Sequence, residues 1–202
     1  MQPFTRLTAI AAPLELANID TDKIIPSRFL RRLRGPDYGK LAFHDIRYDA
    51  GGNDRPDFVL NQGPYRDAKI LVAGANFGCG SSREAAVYVL FDYGIRSVIA
   101  PSFGDIHYGN ELQNGMLPVV LPDATCQKLR GQLRDTPGAQ IGVDLVSQTV
   151  TGPDGAQYRF EIDANHKERL LNGLDDIGLV LQNIDAIEAF EQKHHHELPW
   201  LA

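Results

Sequence analysis

A short apolar run followed directly by a glycine-rich segment is the feature that most restricts the fold of this chain of 202 residues. Residues 70–73 read Ile-Leu-Val-Ala, a length and composition typical of a buried strand. Gly78 and Gly80 follow, and glycine has the backbone freedom that a sharp turn requires. The chain is therefore expected to leave a buried strand and turn sharply.

The residues after this turn predict a helix. Ser81 and Glu84 have the spacing of a capping box, in which each side chain caps the backbone of the other residue. We expect a helix that begins at Ser82 or Arg83 and ends at Gly94, since glycine commonly follows a helix C-terminus.

The junction between this strand and this helix has the composition of an anion site. Backbone N–H groups at a helix N-terminus carry partial positive charge, and the guanidinium of Arg83 adds a full charge. Together they favour a carboxylate or a phosphate. A capped turn, with Ser81 as N-cap and Arg83 in solvent, accounts for the same residues, so both interpretations stay open. The segment lacks the spacing of a P-loop and that of a dinucleotide-binding loop.

The pattern continues as strand, helix and strand. Residues 97–100 form a second apolar run, a helix is expected from about residue 101 to Gly115, and residues 117–121 form a third strand. Such βαβ units gather their loops at the carboxyl ends of parallel strands, where α/β folds bind ligands. We therefore predict a compact α/β domain with a mainly parallel central sheet, helices packed on it and a small additional β layer.

The rest of the chain supplies shorter elements. One domain is expected over residues 1–202, with an irregular excursion at about 35–63, either functional or mobile, and a polar C-terminal tail at about 193–202. Further predicted elements are a strand over 4–11, a helix over 123–133 capped by Asp123, strands over 143–151 and 157–162 around a turn at 152–155, and short helices over 167–171, 174–181 and 184–193.

Charge and hydropathy limit the classes of partner. The net charge is -6 with both signs interspersed, which argues against a nucleic-acid surface. Arg28, Arg31, Arg32 and Arg34 form one basic cluster, which is either a solvated face or a contact to an acidic ligand. The N-terminal residues lack the regions of a signal peptide and no apolar stretch is long enough to cross a membrane, so a soluble cytoplasmic protein is expected.

The number and positions of cysteine and histidine residues limit the metal sites that this chain could form. The two cysteines, Cys79 and Cys126, are too few for a disulfide framework and cannot by themselves hold a zinc ion or an iron–sulfur cluster. If this chain takes part in metal chemistry, we therefore expect another chain to bring the metal. Cys79 is either a reactive thiolate or a small residue packed in the turn. Residues 194–196, all histidine, are interpreted as part of a surface tail.

Several segments together resemble the small subunits of 3-isopropylmalate dehydratase, in the same order over nearly the whole chain. The core motif Gly-Ser-Ser-Arg-Glu at residues 80–84 is also that of the swivel domain of aconitases. The segments that carry the resemblance are residues 18–30, 74–84, 93–106, 114–118 and 171–179. The resemblance implies a single aconitase-type swivel domain.

The resemblance further implies a hydro-lyase that is active only with a large subunit. Such enzymes interconvert 2-isopropylmalate and 3-isopropylmalate through a dehydrated intermediate, in leucine biosynthesis. In this family the large subunit holds a [4Fe-4S] cluster whose open iron binds the substrate hydroxyl and a carboxylate, and the small subunit closes over it. The implied partners are the large subunit and a small hydroxy dicarboxylate, with no cofactor on this chain.

Roles for several residues are implied in the same way. Ser81 would be the base, an alkoxide that removes the proton next to a carboxylate as water leaves. A serine hydroxyl is too weak an acid for this in water, so it needs concentrated positive potential. Ser82 and Arg83 would bind a substrate carboxylate. Asp22 would lie at the edge of the active site and orient a polar group of the large subunit, or is only a turn-forming aspartate.

Residues 29–38 correspond to the family's loop that contacts the variable part of the substrate. Arg28 lies directly before this loop and is a candidate substrate contact. Leu30 and Leu33 would pack on an isopropyl group, although leucines beside a loop are more often core residues.

One departure from the family concerns the substrate. Residues 85–88 read Ala-Ala-Val-Tyr where the better known small subunits carry His-Ala-Pro-Trp. The missing histidine leaves Ser81 and Arg83 untouched, so dehydratase chemistry is still expected. Two alternatives remain, the same chemistry on a related hydroxy dicarboxylate such as 2-methylmalate, or a non-catalytic assembly partner.

Overall fold

The computed structural model describes residues 1–80 and 82–201, and its described part is built around one mixed β-sheet. Ser81, the predicted base, lies outside the described residues. The seven strands of the sheet lie in the order β4-β3-β2-β1-β5-β6-β7. Their bounds are β1 Arg6–Pro13, β2 Ile70–Val72, β3 Ser97–Ala100, β4 Leu117–Val120, β5 Gln140–Asp144, β6 Thr149–Thr151 and β7 Gln157–Arg159.

Strand β1 joins a parallel half of the sheet to an antiparallel half. Its first residues pair antiparallel with β5, and Ala11 to Pro13 pair in parallel with β2, in the register Ala11 to Ile70 and Pro13 to Val72. Strands β2, β3 and β4 continue in parallel, as the βαβ pattern predicts. The additional β part is the antiparallel set β5 to β7, which β1 connects to the central sheet. The α/β class and the mainly parallel core are confirmed.

The single strand predicted over residues 143–151 is wrong, because a turn divides it into β5 and β6. The carboxylate of Asp144 accepts a hydrogen bond from the backbone N–H of Ser147 at 3.0 Å. Gln148 adopts a left-handed backbone conformation with φ 54°. These local features reverse the chain within the apolar pattern that suggested a continuous strand.

Helices cover both faces of the sheet. Their bounds are α1 Thr21–Ile24, α2 His44–Arg47, α3 Ala85–Tyr93, α4 Asp105–Gln113, α5 Asp123–Asp135, α6 Ala164–Asn172, α7 Asp176–Leu181 and α8 Ile184–Glu197. Because side chains of a strand alternate between faces, Leu71 joins the core beneath α3 and Ile70 joins the core beneath α5. Asp123 is the first residue of α5 rather than its cap, and its carboxylate accepts from the side chain of Gln127.

The excursion at 35–63 is irregular and well packed. It contains α2 and short 3₁₀ turns, and Tyr38, Phe43 and Leu60 are buried in the core beneath α3. Arg47 and Asn61 join the middle of the excursion to its C-terminal part, since Arg47 Nε donates to Asn61 Oδ1 at 2.9 Å and Asn61 Nδ2 donates to the Arg47 carbonyl at 2.6 Å. The excursion therefore forms part of the core that supports α3.

The C-terminal segment is more ordered than the predicted tail. Helix α8 continues to Glu197, so residues 193–197 are helical, and a 3₁₀ turn follows at Pro199–Leu201. Phe190 and Trp200 are largely exposed on this segment. Among the described residues, no helix has the length and apolar composition needed to cross a membrane.

Candidate active site

The predicted glycine turn, residues 74–80, is here called the glycine loop, and two neighbouring segments hold its backbone. Gly74 N–H donates to the Leu16 carbonyl and Gly78 N–H donates to the Ile19 carbonyl, both from the segment that follows β1. Phe77 N–H donates to the carbonyl of Ser102, which follows β3. The loop thus lies between the chain segments at the carboxyl ends of β1 and β3, the edge where the sequence predicts ligand binding.

The conformation of the glycine loop requires glycine at residue 78. Its φ is 70°, in the left-handed region that favours glycine. A Cβ atom built there would lie 2.2 Å from the imidazole ring of His107 on α4. Gly104 closes the loop from the other side, where an added Cβ would lie 2.7 Å from the Gly78 carbonyl oxygen. Backbone and imidazole are therefore in direct contact beneath the loop.

We expect Gly78→Ala to lower the free energy of unfolding by about 2–4 kcal/mol, because overpacking is added to the strain of a left-handed alanine. Urea unfolding followed by circular dichroism measures the change. Gly109→Ala is the matched control, since Gly109 lies inside α4 and the added methyl would meet open space beyond the adjacent helix backbone. Alanine there should stabilise the helix by up to about 1 kcal/mol. Equal stability of Gly78→Ala and the unchanged chain would contradict the expectation.

Helix α3 begins at Ala85, so the predicted start at Ser82 or Arg83 is wrong. Glu84 occupies the cap position with helical backbone angles and no capping hydrogen bond from its side chain. Its carboxylate instead accepts from Asn114 Nδ2 at 3.0 Å, a residue that follows α4. Because this tertiary contact engages Glu84, Ser82 and Arg83 remain in the turn before the helix, where Ser82 is exposed.

Arg83 turns towards helix α1 and pairs with Asp22. Arg83 Nη1 lies 2.5 Å from Asp22 Oδ1, and the two side chains are 19% and 56% exposed. Asp22 also accepts from the backbone N–H of Ser27 at 3.1 Å. The Arg83 guanidinium is the main cause that lowers the pKa of the Asp22 carboxyl below its ordinary value. Two candidate residues from distant segments therefore meet at the end of the glycine loop.

Helix α1 is brought to the glycine loop by Asp20. The Asp20 side chain caps α1 by accepting from Lys23 N–H at 2.7 Å, and the backbone of Asp20 pairs with that of Cys79 in a parallel bridge. Thr21 N–H donates to the Cys79 carbonyl at 3.0 Å. The contact fixes the position of Asp22 relative to Arg83.

Arg28 is engaged on the other side of α1, with α2. Its Nη1 donates to Asp45 Oδ2 at 2.7 Å, and its guanidinium lies 4.5 Å from the centre of the Phe29 ring. Hydrogen bonding to Arg28 lowers the pKa of Asp45 to about 2. The structure therefore gives Arg28 a partner within this chain.

Leu30 and Leu33 both lie in the loop at 29–38 and outside the core. Leu30 is partly exposed and Leu33 is 90% exposed, so the interpretation of these leucines as core residues is wrong. An exposed leucine at a loop is available to a ligand or to another chain.

Arg34 anchors this loop to helix α3. In the sequence Arg34 belongs only to a basic cluster, which does not predict this contact. Arg34 Nε and Nη2 each donate to the carboxylate of Asp92 at 2.7 Å. The guanidinium also lies 4.8 Å from the ring centre of Tyr88 on the same helix. Asp92 is 58 residues away in sequence, and no local pattern marks the pair. The loop of Leu30 and Leu33 is thereby attached to the helix that begins beside Arg83.

Comparison with known families matches consecutive parts of the chain to three family models. Residues 1–124 match the aconitase C-terminal domain, residues 127–164 match the model described as LeuD_N, and residues 176–202 match the C-terminal domain of the 3-isopropylmalate dehydratase small subunit. The 3-isopropylmalate dehydratase small subunit of Dinoroseobacter shibae is 53% identical over 201 residues, covering all of both chains. The chain belongs to the 3-isopropylmalate dehydratase small-subunit family. The resemblance inferred from its motifs is confirmed.

Other members of the 3-isopropylmalate dehydratase small-subunit family are equally similar over the full length. The small subunit of Paramagnetospirillum magneticum is 52% identical over 201 residues, again covering both chains completely. A crystal structure of 3-isopropylmalate dehydratase from Methanocaldococcus jannaschii superposes with a TM-score of 0.65 at 24% identity, covering 92% of this chain and 99% of that one. At that identity the likeness concerns the fold.

A cavity of about 360 Å³ lies over the glycine loop. It is lined by Asn76, Gly78, Cys79, Gly80, Phe103, Gly104, Asp105 and Ile106. Gly80, directly before Ser81 in the sequence, lies on its wall. A larger depression of about 560 Å³ lies over β1, β5 and β6 and includes no residue of the glycine loop. We associate the smaller cavity with the site because it adjoins the family's Gly-Ser-Ser-Arg-Glu motif.

The cysteines lie in separate places. Cys79 is partly buried in the glycine loop and Cys126 is buried in α5, where burial raises the pKa of its thiol to about 11. In the described part of the chain, no three His, Cys, Asp or Glu side chains are grouped to hold a metal ion.

Proposed function

We propose that the chain is the small subunit of a heteromeric hydro-lyase that interconverts 2-isopropylmalate and 3-isopropylmalate in leucine biosynthesis. The observation that carries the proposal is full-length identity above 50% to chains named as such small subunits. The pairing of Arg83 with Asp22 beside the glycine loop supports it, because a carboxylate-binding group then lies two residues along the sequence from the residue proposed as base. The cytoplasm is the proposed location.

In the proposed reaction Ser81 is the base. Its alkoxide oxygen takes the proton from the carbon next to a substrate carboxylate, and the pair of electrons left behind forms a carbon–carbon double bond. The hydroxyl leaves from the neighbouring carbon. Return of the proton from Ser81 to that neighbouring carbon, and of hydroxide to the carbon that lost the proton, is a net addition of water and gives the other isomer. Loop N–H groups and Arg83 favour the charged forms of both Ser81 and the substrate.

Arg83 is proposed to bind the substrate carboxylate with Ser82. In the free chain Asp22, itself a carboxylate, lies against the guanidinium, and this contact supports a carboxylate-binding role for Arg83. The ion pair is partly exposed, so its net stabilisation is small, about 0–1 kcal/mol, and a substrate carboxylate can share or replace it. Asp22 is proposed to hold Arg83 in position and to contact the large subunit.

The large subunit is the proposed partner and the proposed carrier of a [4Fe-4S] cluster. The two cysteines of this chain are fewer than the ligands that such a cluster requires. Bound to the large subunit, the cluster supplies a Lewis-acidic iron that assists departure of the substrate hydroxyl. This chain contributes the base and a carboxylate-binding group.

Leu30 and Leu33 are proposed to contact the isopropyl group of the substrate. Both are exposed on a loop that Arg34 attaches to α3. Burial of a methyl or methylene group contributes about 0.8 kcal/mol, so an isopropyl group should be preferred over a methyl group. Ala85, where better known small subunits have histidine, keeps 2-methylmalate as the second candidate substrate.

Reconstitution tests the proposal. The purified chain mixed with a cluster-loaded large subunit should convert 2-isopropylmalate to 3-isopropylmalate, and each subunit alone should be inactive. We expect kcat/KM for isopropylmalate to exceed that for 2-methylmalate by about tenfold or more, from the lost apolar contact. Absorbance of the unsaturated intermediate and chromatography of the products measure both.

Three outcomes decide among the candidates. Turnover by this chain alone would contradict the division of roles between subunits. A preference of the reconstituted pair for 2-methylmalate would assign the second substrate. A complex that assembles without any turnover, prepared with a large subunit that is active with another small subunit, would assign the chain as an assembly partner.

A further inference from the structure

A buried pair of ionisable side chains lies beneath the glycine loop. His107 and Glu111 are one turn apart on α4, and their side chains are 1% and 0% exposed. His107 Nε2 lies 3.0 Å from Glu111 Oε1, an ion-pair distance without the alignment of a hydrogen bond. In the described part of the chain, neither His107 Nδ1 nor the second Glu111 oxygen has a hydrogen-bond partner. Glutamate is rarely buried this completely.

Stability alone does not account for this pair. Removing two ionisable groups from water is costly, and apolar side chains of similar volume are often equally or more stabilising at such places. Burial raises the pKa of the Glu111 carboxyl, and the adjacent His107 imidazole opposes the shift. The pair therefore has a cost that packing with leucine or phenylalanine would avoid.

The imidazole of His107 supports the backbone of the glycine loop. An added Cβ at Gly78 would lie 2.2 Å from ring atoms Cγ and Cδ2, so the loop backbone rests directly on the ring. The Phe77 ring meets the same imidazole edge-on, with centres 5.4 Å apart. Since Glu111 contacts His107 at Nε2, it restricts rotation of the imidazole and with it the surface on which Gly78 rests.

Neither side chain reaches the substrate directly. Both are buried, and neither lines the cavity over the glycine loop. Their effect must therefore pass through the backbone of Gly78 to Gly80 and to the motif residues that follow.

We infer that the His107–Glu111 pair positions the glycine loop and, through it, the groups at residues 80–83 that act on the substrate. The consequence for catalysis rests on the proposed function, and the consequence for the loop does not. A displacement of about 1 Å in a catalytic group can reduce a rate about a hundredfold, so a small shift of this backbone has a measurable effect.

The test replaces the pair in two ways. Glu111→Gln keeps shape and a polar contact to His107, and the double variant His107→Leu with Glu111→Leu removes both polar groups together. Ser97→Ala is the matched control, because Ser97 is also fully buried and its hydroxyl donates to the Leu117 carbonyl at 2.7 Å. Ser97 begins β3, at the end opposite the glycine loop.

Hydrogen–deuterium exchange of residues 74–80 is the structural readout, since Gly74, Phe77 and Gly78 have hydrogen-bonded amides that report on the loop. We expect the double variant to keep or raise the wild-type Tm, yet to exchange these amides about fivefold faster or more. In the reconstituted enzyme its kcat should fall about ten- to a hundredfold with KM within about twofold. Glu111→Gln should be intermediate, and Ser97→Ala should lower Tm without changing loop exchange or kcat.

Wild-type exchange of residues 74–80 in the double variant would overturn the inference and leave the pair as packing. If the double variant does not fold, the same comparison with Glu111→Gln decides the question. Absence of turnover in the wild-type enzyme would count against the proposed function, while the exchange data would still test the role of the pair.

Discussion

Ser81→Ala should reduce kcat of the reconstituted enzyme by about three orders of magnitude or more. The expectation follows from the proposed role of Ser81 as the base, because a group that moves the proton in the transition state has no substitute in alanine. KM should change by no more than about twofold, since the carboxylate-binding groups remain. Steady-state kinetics with saturating large subunit and a pull-down of the complex measure activity and assembly separately.

Two serine variants serve as references for this result. Ser82→Ala should mainly raise KM, by about tenfold, because it removes one hydrogen bond to a charged carboxylate. Ser147→Ala should leave both constants unchanged, since Ser147 lies in the turn between β5 and β6 and its hydroxyl contacts Thr149. Full activity of Ser81→Ala in a complex that assembles normally would remove Ser81 from the catalytic assignment.

Arg83→Ala should lower kcat/KM by about two to three orders of magnitude, mostly through KM. Truncating one partner of a hydrogen-bonded charge pair costs about 2–5 kcal/mol, and the substrate carboxylate loses such a partner here. Arg83→Lys keeps the charge and loses the planar, two-pronged geometry, so about a tenfold loss is expected. Kinetics over a range of isopropylmalate concentrations measure both variants.

The same variants can also show whether a loss of activity is caused by a loss of folding stability. The Arg83–Asp22 pair is partly exposed, and such pairs contribute about 0–1 kcal/mol to stability, so Tm of Arg83→Ala should change by only a few degrees. Asp22→Asn removes the same ion pair while leaving Arg83 intact. Equal losses of kcat/KM in Asp22→Asn and Arg83→Ala would indicate that the ion pair itself, rather than carboxylate binding by Arg83, is what the reaction needs.

The parallel half of the fold was predictable from local signals. Apolar runs at residues 70–73 and 97–100, separated by glycines and a helical pattern, are short-range features and identify β2, α3 and β3 in order. The start of α3 was misplaced because Glu84, which could complete a capping box, contacts Asn114 instead. The same sequence pattern is compatible with a Glu84 that completes the capping box and with a Glu84 that contacts Asn114. The packing of α4 against α3 decides which contact forms.

Some residues of the candidate site could be predicted from the sequence, but the contacts between them could not. Motif resemblance drew attention to Arg83 and Asp22, yet their ion pair depends on the bridge between Asp20 and Cys79. The ion pair between Arg34 and Asp92 could not be predicted from the sequence, because no local pattern links two residues that are 58 positions apart. His107 and Glu111 have the helical spacing of a pair, but many exposed pairs share that spacing, and burial was what distinguished this one.

The family, the α/β class and the glycine-rich turn between strand and helix follow from local sequence, because periodicity, turn residues and motif order are properties of neighbouring residues. Which distant groups meet at that turn depends on the packing of the whole domain. Strand β1 pairs in parallel with β2 and antiparallel with β5, and this brings the segment of Asp22 to the glycine loop while α4 places His107 beneath it. Such contacts depend on how separate segments pack, and no short stretch of sequence contains both partners.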